Sequence, residues 1–114
     1  MDKKLQLRDG QNMALVGRPV EIALLAPIVP IERADALLVF AVTQAELSDH
    51  LARLQGFARA DKLTWLAYPK ASQLGTDMNR DTIRAYANQH GLDPVRQIAI
   101  DEFWSAMRLK AIAL

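Results

Sequence analysis

Residues 95–113, VRQIAIDEFWSAMRLKAIA, decide the architecture that the sequence predicts. Two strands are expected here, at Val95 to Asp101 and at Trp104 to about Ala113, and the second alternates apolar and basic side chains. Only a few residues separate the two segments, whereas a parallel crossover needs a dozen or more. The chain is therefore expected to end in an antiparallel hairpin.

Upstream of this hairpin, strand-like segments alternate with helical ones. Strands are predicted at Gln11–Val16, Ala36–Val42 and Lys62–Tyr68. The segment Ala36–Val42 is apolar at every position, which is typical of a parallel strand buried on both faces. The order of elements predicts one α/β domain over residues 1–114, a small Rossmann-like layer sandwich with a mostly parallel five-stranded sheet.

Helices are predicted at Val20–Ala26, Gln44–Arg59 and Asp81–Gly91. Thr43 and Glu46 have the spacing of a capping box at the start of the second helix. The third helix has three candidate caps, Thr76, Asp77 and Asn79. Gly91 suits a left-handed residue after its last turn.

The hairpin resembles the end of a Rossmann-fold methyltransferase sheet, in which the last, antiparallel strand lies between its two predecessors. This resemblance implies the strand order 1-2-3-5-4. The order 1-2-3-4-5, with the last strand at the sheet edge, fits the polar side chains Arg108 and Lys110 almost as well.

Three segments resemble an uncharacterised bacterial family of small proteins that is known only as a domain of unknown function. They are WLAYPK at 65–70, AIDEFWSAMRLK at 99–110 and ADALLVFAVTQAEL at 34–47. The likeness extends from about Gly10 to Lys110 and implies a small α/β fold. It implies no activity and assigns no residue a catalytic role.

Composition and charge narrow the classes of function. Lys and Arg number 14 against 13 Asp and Glu, so the basic excess typical of nucleic-acid binding is missing and no nucleic-acid partner is expected. The chain has no cysteine, which excludes disulfides and thiol catalysis. Apolar runs fall short of the roughly 18 residues of a membrane span, so no membrane association and a cytoplasmic location are expected.

The sequence also lacks the motifs of common cofactor and catalytic sites. The loop after the first strand has a single glycine, Gly17, against the several glycines of dinucleotide and phosphate loops, so no cofactor is expected. His50 and His90 lack metal-ligand spacing. Ser105 has no adjacent histidine to activate it.

Polar side chains nevertheless gather where the strands end, and ligands bind at that edge in open parallel sheets. Helix amides at the start of the third helix, next to a lysine, can hold an anion. The predicted ligand-binding residues are Lys70, Thr76, Asp77, Asn79, Asp101, Trp104 and Ser105.

Two functions follow from this pattern. The first is a non-catalytic interaction or scaffolding domain, with a homodimer as one form of it. The missing catalytic signature and the apolar end AIAL at 111–114 favour this function. The second is a small anionic-ligand binder or weak enzyme that uses Lys70, Asp101 and Ser105. In a purely structural alternative, Lys70 pairs with Asp101 and Trp104 packs in the core. A concave pocket at this edge would favour the second function.

Overall fold

The computed structural model of the chain describes residues 12–16, 34–70, 78–100 and 103–112. Its strands are β1 (Met13–Val16), β2 (Ala36–Phe40), β3 (Leu63–Pro69), β4 (Leu92–Ala99) and β5 (Trp104–Ala111). Its helices are α1 (Gln44–Asp49), α2 (Leu51–Arg59) and α3 (Arg80–Gln89). The predicted helix Val20–Ala26 lies outside the described residues.

The five strands form one sheet in the order β1-β2-β3-β5-β4, so the strand order that the methyltransferase resemblance implied is confirmed. The terminal hairpin is also confirmed, because β4 and β5 pair antiparallel. The prediction of a mostly parallel sheet is wrong. Inserting β5 between β3 and β4 makes it antiparallel to both neighbours, so two pairings are parallel, two are antiparallel, and the sheet is mixed.

Strand β2 is an interior strand and is buried along its whole length, as its unbroken apolar run predicts. Leu37 and Val39 belong to a core between the sheet and the helices. Leu38 and Phe40 belong to a second core on the other face of the sheet. The double burial explains why this strand has no polar position.

The helices of the described region pack on the first of these faces. Leu47 of α1, Leu54 of α2 and Ile83 of α3 are buried there in one cluster with Leu37 and Leu66 of the sheet. Apolar stripes at helical spacing thus cover one side of the sheet and leave the polar side of each helix to solvent.

The predicted helix Gln44–Arg59 is interrupted at His50, whose backbone leaves the helical region at φ −107° and ψ 5°. The His50 amide donates to the Leu47 carbonyl, a bond over three residues that tightens the last turn of α1. The helical stripe in the sequence continues across this break, which is why the pattern did not reveal it.

The helix ends show which caps form. The Glu46 amide donates to Thr43 Oγ1 at 3.3 Å, which is one half of the predicted capping box and the half that the described residues show. A complete capping box forms at α3, where the Asn79 and Thr82 side chains each accept from the other's amide at 2.9 Å. Gly91 follows α3 with φ +79°, so its left-handed conformation is confirmed.

Strand β4 starts three residues earlier than predicted, at Leu92 rather than Val95. Its pairing with β5 has an irregularity between Pro94 and Arg96. Pro94 has no amide hydrogen to donate, and a strand at the edge of the described sheet tolerates this.

Candidate functional site

A cleft of about 360 Å³ lies at the edge of the sheet where β3 ends and β5 begins, and we call it the rim cleft. It is bounded by these two strands, by the outer strand β4 and by the start of α3. Its described lining consists of Tyr68, Lys70, Asn79, Arg80, Asp81, Gln97 and Ser105.

The floor of the rim cleft consists of side chains from three adjacent strands. Tyr68 lies directly opposite Ser105 in the pairing of β3 with β5. Gln97 of β4 lies opposite Met107, which belongs to the helix-side core together with Tyr68. Because side chains alternate between the two faces of a strand, Tyr68, Ser105 and Gln97 all lie on the helix-covered face.

Tyr68 is the most unusual residue of this floor. Its side chain is 3% exposed, and its hydroxyl has no hydrogen-bond partner among the described residues. Burying a hydroxyl without a partner costs on the order of 1–3 kcal/mol. The Tyr68 hydroxyl is thus a buried polar group without a described partner, on a residue that lines the floor of the cleft.

The protonation state of Tyr68 follows from the same burial. Burial raises the pKa of the Tyr68 phenol above its ordinary value, and the nearby Arg80 guanidinium opposes part of that rise. The phenol therefore stays protonated near neutral pH and acts as a hydrogen-bond donor.

The opposite wall of the rim cleft is the first turn of α3. Asn79 caps the helix through the Thr82 amide. The amides of Arg80 and Asp81 come next, and an α-helix offers such first-turn amides no partner of its own. Helix dipoles favour negative charge at this position, and the Arg80 side chain adds a cation.

Lys70 completes the cationic side of the rim cleft. Its amide donates to the Phe103 carbonyl at 2.7 Å, which ties the end of β3 to the hairpin turn. Lys70 lies directly after β3, two residues beyond Tyr68, and lines the cleft together with it. The cleft thus has a cationic wall above a neutral polar floor.

The predicted site residues divide into three groups. Lys70, Asn79 and Ser105 come together in the rim cleft. Trp104 does not line it: this ring is 4% exposed and packs edge to face against Phe40 at 5.2 Å in the core on the other face of the sheet. Neighbouring strand residues point to opposite faces, so Ser105 and Trp104 cannot both face the cleft.

The remaining predicted residues, Thr76, Asp77 and Asp101, lie outside the described residues. The Lys70–Asp101 ion pair therefore stays a prediction. Among the three candidate caps of α3, the structure assigns the capping role to Asn79.

Four lining residues were missed by sequence reasoning: Tyr68, Arg80, Asp81 and Gln97. Tyr68 stands at the end of an apolar, aromatic-rich segment and was predicted only as the last residue of that strand. Its position two residues before Lys70 was the available signal, because this spacing places both side chains on one face. Nothing in the local sequence distinguishes Gln97 from other polar residues of the hairpin.

Other kinds of site find little support in the part of the chain that the structure describes. No group of three His, Cys, Asp or Glu side chains there is placed to hold a metal ion. No helix of this part has both the length and the apolar character required to cross a membrane. No protein-family model matches the chain and no curated protein shows significant similarity to it, so the resemblance to an uncharacterised bacterial family stays a prediction.

Proposed function

We propose that the protein binds a small anionic ligand in the rim cleft. The observation that carries this proposal is the Tyr68 hydroxyl, which is buried at the floor of the cleft without a partner among the described residues. Buried polar groups are nearly always hydrogen-bonded, and a ligand supplies the missing partner.

The charges of the cleft favour an anion. Lys70 and Arg80 are cationic and Asp81 is anionic, which leaves one net positive charge in the described lining. The first-turn amides of α3 add partial positive charge at the same wall. An anion placed at this wall meets cations and helix amides, and the Tyr68 donor lies on the adjoining floor.

The volume of the cleft sets the size of the ligand. Small-molecule sites usually measure about 300–1,000 Å³, and the rim cleft lies near the lower end of that range. A metabolite of a few heavy atoms fits this space. The proposal is binding rather than catalysis, because the described lining of the cleft offers Ser105 no histidine to act as a base.

The alternative function, an interaction or scaffolding domain or homodimer, has less support. Large apolar side chains that are exposed in the described region are Val95, Phe103 and Ile112. Phe103 and Ile112 flank opposite ends of β5, whose eight residues span roughly 26 Å, so the two do not form one patch. Strand β4, at the edge of the described sheet, contains Pro94, which hinders the addition of a further strand.

A thermal-shift screen against carboxylates, inorganic phosphate and nucleotides tests the proposal. We expect at least one anion to raise the melting temperature of the wild-type protein. Lys70→Gln and Arg80→Gln should each reduce that shift. Lys110→Gln and Arg84→Gln remove the same charges at exposed positions outside the described lining and should leave the shift unchanged.

Equal responses in all four variants would show that the anion acts through general charge screening, and would contradict the proposal. A screen in which no anion raises the melting temperature would contradict it as well.

A further inference from the structure

We infer that the ligand of the rim cleft is a small carboxylate that carries a second, uncharged oxygen, as in a hydroxy or oxo acid, rather than a phosphate. This inference rests on the proposed function and specifies the chemical class of the ligand. It comes from the division of the cleft into a charged wall and a neutral floor.

The charge of the described lining matches a monoanion. Lys70 and Arg80 together with Asp81 leave one net positive charge, which a single carboxylate neutralises. A phosphate monoester carries about −1.5 to −2 at neutral pH and would bring excess negative charge next to Asp81. The planar guanidinium of Arg80 can contact either anion through two parallel hydrogen bonds, so the difference in charge, and not the geometry of Arg80, favours the carboxylate.

The neutral side chains of the floor favour a ligand that has an uncharged polar group in addition to its carboxylate. Tyr68, Ser105 and Gln97 are neutral, and they come from three neighbouring strands on the face that the cleft exposes. The Tyr68 hydroxyl is a donor without a described partner. A carboxylate held at the wall by Lys70 and Arg80 would leave this donor unmet unless the ligand has another oxygen.

The cleft has room for both groups on one ligand. Its volume of about 360 Å³ is ample for a small hydroxy acid. Tyr68 and Lys70 lie two positions apart in the chain, roughly 7 Å along an extended backbone. Floor and wall therefore adjoin, and one small molecule can contact both.

The test compares lactate, propanoate and inorganic phosphate as probes, with dissociation constants measured by calorimetric titration of the full chain. Lactate and propanoate differ by one hydroxyl. We expect wild-type protein to bind lactate about tenfold more tightly than propanoate, the ratio that one additional hydrogen bond supplies. Phosphate should bind more weakly than lactate.

Variants test whether the floor distinguishes lactate from propanoate and whether the wall supplies the affinity for both acids. In Tyr68→Phe the ratio of the propanoate and lactate dissociation constants should fall to about one, and Ser105→Ala, a second floor variant, should lower it partly. Arg80→Gln should weaken the binding of both acids by the same factor, so the ratio of their dissociation constants should not change. Arg84→Gln, one turn further along α3, is the matched control and should change neither value.

The outcomes separate this inference from the proposed function. Equal wild-type affinity for lactate and propanoate, or phosphate binding more tightly than lactate, would overturn the carboxylate inference but leave anion binding intact. A ratio that survives in both Tyr68→Phe and Ser105→Ala would also overturn it, because the floor would then not recognise the hydroxyl. Failure of all three probes to bind would count against the proposed function itself.

Discussion

Trp104 shows how much one side chain stabilises the second face of the sheet. Its ring is 4% exposed and contacts Phe40 edge to face, in a cluster that also contains Trp65. Trp104→Ala should lower the free energy of unfolding by about 3–5 kcal/mol, because it leaves a cavity in this core. Trp104→Phe keeps a ring there and should cost much less. Urea denaturation measures both, and an unchanged midpoint for Trp104→Ala would contradict the assigned burial.

Tyr68 should make the stability of the protein depend on pH in the alkaline range. Burial raises the pKa of this phenol in the folded protein, with Arg80 opposing, whereas the unfolded chain titrates near pH 10. The folded state thus keeps the proton when the unfolded state loses it. The contribution of Tyr68 is therefore fully present below about pH 10 and is lost as the pH rises through the folded pKa.

The matched measurement compares wild type with Tyr68→Phe by urea denaturation across this range. We expect the difference between their free energies of unfolding to be constant below about pH 10. Above that pH, the wild type should lose stability relative to Tyr68→Phe. The comparison cancels the lysines, which titrate in both proteins. A difference that stays constant at every pH would show that the phenol titrates normally in the folded protein.

At the scale of one element, α1 tests whether its cap contributes to stability. The Glu46 amide donates to Thr43 Oγ1, while the described residues show no reciprocal bond from the Glu46 side chain. Thr43→Ala should therefore lower the free energy of unfolding by about 1 kcal/mol, and Glu46→Ala by less. Chemical denaturation of the two variants decides this. Equal losses would indicate that the complete capping box forms in solution.

Strand β2 makes a second prediction at this scale. It pairs on both sides and is buried on both faces, so its amides should be among the slowest in the protein to exchange with solvent. Amides of β4, at the edge of the described sheet and exposed at most positions, provide the internal comparison and should exchange faster. Hydrogen exchange followed by NMR tests this. Faster exchange in β2 than in β4 would contradict the interior position of β2.

At the scale of the whole molecule, different kinds of signal predicted different parts of the structure. The apolar run of β2 and the short connection before Trp104 predicted a buried strand and a hairpin, because both depend on local spacing. The position of β5 between β3 and β4 was predicted only from the resemblance to methyltransferase sheets, since the residues of β5 fitted an edge position nearly as well. That insertion makes two of the four pairings antiparallel, so the predicted order already implied a mixed sheet, and the description as mostly parallel was wrong although the order was right.

The residues of the candidate site were likewise predicted only in part. Lys70, Asn79 and Ser105 could be placed together because the carboxyl ends of parallel strands and the following helix start meet at one edge. Trp104 was assigned to that edge by its position in the chain, but the alternation of strand side chains directs it to the other face. The missing partner of Tyr68 depends on packing between three strands and a helix, which no local pattern contains.

The most direct test of the proposed site is the stability of Tyr68→Phe at neutral pH without added ligand. If the Tyr68 hydroxyl serves a ligand, it has no hydrogen-bond partner in the free protein. Its removal should then raise the free energy of unfolding by about 1 kcal/mol, because the folded state no longer buries an unpaired donor. Tyr86→Phe is the matched control: the Tyr86 hydroxyl bonds to Ser48 Oγ at 2.8 Å, so this change should lower stability slightly. A loss of 1 kcal/mol or more in Tyr68→Phe would show that its hydroxyl has a structural partner, and would contradict the site.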